Sequence, residues 1–128
     1  KLFLKSMSKG WKITFYISTI ILSLSMLWGG YLDASQNEMA VLGITSLGYP
    51  AYFAVIIGVA KILGVIGIWQ GKVRWLRSWA YAGFTFDTLG AVISTLVAGF
   101  DIKFAIPALI TLVIVLISFA AARKLGRV

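Results

Sequence analysis

The chain has 128 residues, of which 60% are apolar and only 12% charged, and its mean hydropathy is +0.95. A soluble domain carries roughly 25% charged residues, and a single domain of this length has no core large enough to hide so much apolar surface, so the composition excludes a soluble fold. The net charge of +8 comes with no cysteine and no histidine, which excludes a disulfide framework, a thiol nucleophile, the usual zinc site, histidine-ligated haem and any histidine-based catalytic dyad within the chain.

The chain opens on Lys1, which leaves open a start upstream or at Met7. At helical spacing Lys1, Lys5, Lys9 and Lys12 share one face, with Phe3, Leu4, Met7 and Trp11 opposite. That pattern suits a helix over 1–12 lying on an anionic leaflet, or a charged flank without fixed structure. A membrane span needs about 20 apolar residues. Residues 13–32 supply the first, and the length of that run sets it apart from a cleavable signal. Residues 33–50 form the one long connector, in which Asp33 and Glu38 read as solvated groups outside the membrane. Residues 51–69, 78–98 and 104–122 supply three more spans, joined by a basic turn at 70–77 and a short one at 99–103. Pro50 and Pro107 stand at expected first-turn positions.

Ten of the lysines and arginines fall in the N-terminal segment, the 70–77 turn and the C-terminus, against Lys103 alone on the other side. This is a positive-inside pattern with both termini cytoplasmic and the 33–50 loop external. In so apolar a chain the basic excess reads as topology and not as a nucleic-acid surface. The expectation is therefore an all-α, polytopic membrane protein: one domain over 1–128, an antiparallel four-helix bundle with short connections.

Helices in lipid associate through small residues and a few polar contacts. Thr14, Ser18, Ser25 and Gly29 form such a stripe in the first span, and Thr111 and Ser118 mark one in the fourth. The third span has the fullest stripe: Ala80, Gly83, Asp87, Gly90, Ala91, Ser94 and Ala98. It is expected to be the most central helix. Only two charges interrupt the spans. Lys61 is the eleventh residue of one 19-residue span and Asp87 the tenth of a 21-residue span. An unpaired charge at that depth costs roughly 2.5–3.5 kcal/mol or more, so a Lys61–Asp87 salt bridge or a shared hydrogen-bonded site is expected. Its role is either a ligand or proton site or a staple that fixes helix register. Ser18, Ser94 and Thr111 are the polar groups expected to join it.

The segments 47–69 (LGYPAYFAVIIGVAKILGVIGIW) and 77–94 (RSWAYAGFTFDTLGAVIS) resemble the DoxX-like family of small four-span membrane proteins. The resemblance extends over essentially the whole chain and implies a bundle in the bacterial cytoplasmic membrane. It marks Tyr49, Pro50, Gly58, Lys61, Gly64, Trp79, Gly83, Phe86, Asp87 and Gly90 as signature positions. Related proteins are described as membrane subunits of thiosulfate:quinone oxidoreductase, as parts of oxidative-stress complexes, or, more distantly, as assembly chaperones. The resemblance thus implies a non-catalytic or accessory subunit with a quinone or lipid as the ligand, and a homodimer or membrane-complex partner as company. The lack of cysteine and histidine argues against enzymatic activity in the isolated chain, and no metal site is expected. A scaffold or chaperone is the alternative. A small proton-coupled transporter ranks third, on the ground that the first span holds no carboxylate.

Overall fold

The computed structural model describes the backbone of residues 2–128 and the side chains from Lys9 onward. Five α-helices and one 3-10 turn make up the described chain: α1 (Leu2–Ala34), α2 (Glu38–Ser46), α3 (Phe53–Trp69), α4 (Arg74–Val97), the turn Ile102–Phe104, and α5 (Ile106–Lys124). Within these, Lys9–Ala34, Arg74–Val97 and Ile106–Lys124 are long and apolar enough to cross a membrane. The expected second span, 51–69, forms the apolar but shorter 17-residue α3.

Several boundaries differ from the sequence expectation. Residues 2–12 continue α1 without a break, because no proline interrupts the run. The amphipathic face expected there falls largely on side chains outside the described residues. The 33–50 connector is not an open loop: its middle folds as α2, capped by Asn37, which accepts from the Met39 amide. Pro50 lies in a turn ahead of α3, accepting from the Phe53 amide at 3.0 Å, and not in the helix itself. Pro107 does sit in the first turn of α5.

Helices α1, α2, α4 and α5 end alike. The amide of the residue past the stop reaches back five positions, as in Asn37 to Leu32 and Phe100 to Thr95. This closing motif needs a left-handed residue at the stop. Three of the four use glycine there, and α1 uses Gln36 at φ 55°.

Four helices form a ring in the order α1, α3, α4, α5, with α1 and α4 diagonally opposite. The expectation that the third span is the most central is not met. The buried face of α1 follows helical spacing: Phe15, Thr19, Leu22, Met26, Gly30 and Asp33. The core joins Phe15, Leu22 and Met26 to Val65 and Ile68 of α3, Tyr81 and Phe84 of α4, and Val115 and Ala121 of α5. The other faces are Ile, Leu, Val and aromatic residues left exposed, which suits contact with acyl chains.

Candidate functional site

Two glycines decide how α1 meets α3. A Cβ at Gly30 would lie 2.9 Å from the Gly58 carbonyl oxygen, and one at Gly58 would lie 2.6 Å from the Gly30 carbonyl oxygen and closer still to the Ala34 amide. Only glycine lets two backbones approach so closely. The crossing places the last turn of α1 beside the middle of α3. Asp33, the penultimate residue of α1, therefore lies inside the bundle at 8% exposure. Its carboxylate receives a hydrogen bond from Lys61 Nζ at 3.0 Å, the only salt bridge among the described residues.

This corrects two expectations. Asp33 is not a solvated loop residue, and Lys61 pairs with it and not with Asp87. Asp87 makes no ion pair or hydrogen bond among the described residues. The sequence expectation ends the first span at Leu32, two residues before α1 stops, and so assigns Asp33 to water. The first helix thus does carry a carboxylate, which removes the ground for ranking transport last.

The seam between α3 and α4 is open. A cavity of about 480 Å³ is walled by α3 through Ile57 and Lys61, by α4 through Asp87, Gly90 and Ser94, and is roofed by Ala40, Gly43 and Ile44 of α2. Asp33 reaches it from the end of α1. A second cavity of about 410 Å³ continues along the same seam past Gly64, Trp79 and Gly83. The two share Ile57, Lys61, Phe86 and Asp87, so the charged residues stand where the two meet. Phe86 is 74% exposed at this junction. Part of the small-residue face of α4 lines this groove without packing: a Cβ at Gly83 or Gly90 would meet nothing within 4 Å, while Ala80 of the same face closes on Gly67 of α3. Gly64 differs, since a Cβ there would strike the Phe84 ring at 2.6 Å.

The signature and polar residues therefore sort by place. Tyr49, Lys61, Phe86, Asp87, Gly90 and Ser94 come together in the first cavity, where the Tyr49 and Ser94 hydroxyls bond at 2.6 Å and tie the segment after α2 to α4. Gly64, Trp79 and Gly83 line the second. Gly58 serves the α1–α3 crossing and Pro50 the turn before α3. Ser18 and Thr111 are not part of the site. Each bonds a carbonyl of its own helix, Thr14 at 2.6 Å and Pro107 at 2.9 Å, the usual recourse of a hydroxyl in an apolar helix.

The buried polar knot lies elsewhere. Ser118 Oγ is 2.6 Å from both Thr19 Oγ1 and Tyr81 Oη, joining α5 to α1 and α4. The Trp69 indole donates to Ser23 at 2.7 Å. Nearby, Arg77 donates to the carbonyls of Gln70 and Arg127, Arg74 to that of Gly126, and Arg127 to that of Ile68. Sequence reasoning named Ser118 only as a small residue and missed Thr19 and Tyr81. Asp33 had a legible signal, since it lies three residues after Gly30 and seven after Met26 on one helical face.

No curated protein and no solved structure matches the chain. A family profile described as DoxX-like matches residues 17–118, from the buried face of α1 to Ser118 of α5, with both cavities between them. The chain belongs to the DoxX-like family.

Proposed function

We propose that the protein is a four-span binding subunit of the bacterial cytoplasmic membrane that holds a membrane-dissolved small molecule, a quinone or a lipid, in the α3–α4 groove. In this reading α1, α3, α4 and α5 all cross the bilayer, with both termini cytoplasmic. At 1.5 Å per residue the 17 residues of α3 reach about 26 Å, close to the hydrocarbon thickness of about 30 Å. The positive-inside asymmetry supports the orientation.

The observation that carries the reading is the groove itself. It is apolar along most of its walls, carries charged groups at mid-length, and lies between α3 and α4 with α2 over one end. Such a mixture of apolar wall and few convergent polar groups is what small-molecule sites share. Intramembrane ionisable groups are by default functional. The staple role falls to Lys61 and Asp33, which fix α1 against α3, and this leaves Asp87 free for a ligand. No step of chemistry is assigned to the chain, so the reading is of an accessory subunit and not of an enzyme.

The test is mass spectrometry of small molecules bound to gently solubilised protein, wild type beside Gly90→Trp. The indole fills the cavity from a position where a side chain meets nothing. A stoichiometric lipid or quinone in the wild type that is lost in the variant is the expected result. The same molecules in both samples, or none in either, would turn the reading toward a scaffold.

A further inference from the structure

We infer that the groove selects a cationic amphiphile, an apolar molecule with one positively charged head that pairs with Asp87. The inference rests on the binding reading above and specifies the chemistry of that same site. Three charged residues line the two cavities: Asp33, Lys61 and Asp87. With all three ionised the groove carries one net negative charge. Lys61 is engaged by Asp33 at 3.0 Å. The Tyr49 and Ser94 hydroxyls in the same wall are engaged with each other. Asp87 alone among these groups has no partner among the described residues, and it lines the open cavity.

The three kinds of head group then differ in what they do to Asp87. An anionic head would add a third negative charge beside two carboxylates, against a single lysine. A neutral head would leave Asp87 with Lys61 as the one positive charge in the groove, and Lys61 is already bonded to Asp33. A cationic head supplies a second. Tyr49, Phe53 and Phe86 line the cavity around it, and aromatic faces attract cations once water is excluded. The first cavity, at about 480 Å³, lies within the range of small-molecule sites, and its exposed flank admits a molecule already dissolved in the bilayer.

The protein's net charge of +8 makes this selectivity a sharp test, because the whole-molecule field favours anions. The probes are tetraphenylphosphonium and tetraphenylborate, similar in shape and opposite in charge. Their binding to the detergent-solubilised full chain is measured by equilibrium dialysis, with binding to empty micelles subtracted. The expected result is one saturable site for the cation, at least tenfold tighter than for the anion. Asp87→Asn erases the preference. Gly90→Lys, which places a competing ammonium on the open wall, abolishes cation binding even if Asp87→Asn fails to fold. Equal or tighter binding of the anion to the wild type overturns the inference, as does an unchanged cation preference in a folded Asp87→Asn protein. If both probes bind without preference and Gly90→Trp blocks them, the groove binds ligands but not by charge, and only the inference falls. If neither probe binds the wild type saturably, the binding reading falls with it.

Discussion

The α1–α3 seam and the α3–α4 seam are both rich in glycine and use it in opposite ways. Gly30 and Gly58 bring two backbones together until no Cβ fits between them. Gly83 and Gly90 face open space and line a groove with a charged group at its midpoint. A small residue in a membrane helix therefore permits contact without showing that contact occurs. The closed seam fixes the bundle and sinks Asp33 beside Lys61. The open seam keeps Asp87 accessible.

The contrast is most easily broken by adding side chains. Gly58→Leu forces α1 and α3 apart, and beyond the roughly 1–3 kcal/mol of ordinary overpacking it disrupts the Asp33–Lys61 pair, so loss of the folded protein is expected by circular dichroism. Gly90→Leu on the other seam is expected to leave the thermal midpoint unchanged or raise it, since glycine inside a helix costs about 0.5–1 kcal/mol against alanine. Equal damage at both positions would mean that the second seam is closed too.

A smaller effect is expected in the buried knot. Ser118→Ala removes two hydrogen bonds and strands Thr19 and Tyr81, at about 1–3 kcal/mol by the cost of unpaired buried groups, or nearer 1 by the weaker values measured inside membranes. Reversible unfolding in detergent checks it, and Thr111→Ala, whose hydroxyl bonds only its own helix, serves as the neutral control. The smallest effect belongs to the roof of the cavity. Tyr49→Phe loses one exposed bond to Ser94, worth about 0.5–1.5 kcal/mol at most. The expected readout is faster amide exchange over α2, with little change in overall stability.

Most of the helical architecture was legible in the sequence, because apolar length and turn composition mark where helices run and stop. The pairing of the charges was not. Span limits drawn from hydropathy end at the first charge, so Asp33 fell outside by one residue. Depth was then inferred from position within each span, which matched Lys61 with Asp87. That inference assumes equal helix ends. The Gly30–Gly58 crossing brings the end of α1 to Lys61 of α3, and a sequence read helix by helix holds no measure of which residues a crossing brings together. The same limit hid the α4 groove, since a glycine stripe reads alike whether it packs or lies open.

The measurement that tests the account most directly is a pair of double-mutant cycles on unfolding free energy, Lys61→Gln with Asp33→Asn and Lys61→Gln with Asp87→Asn. The geometry predicts a coupling within the usual range of about 0.5–3 kcal/mol for neighbours for Lys61 with Asp33, which it bonds at 3.0 Å, and a clearly smaller one with Asp87, with which it makes no ion pair. A larger coupling to Asp87 would contradict the account, because the lysine would then be held at the groove's own carboxylate and no free acid would remain for a ligand.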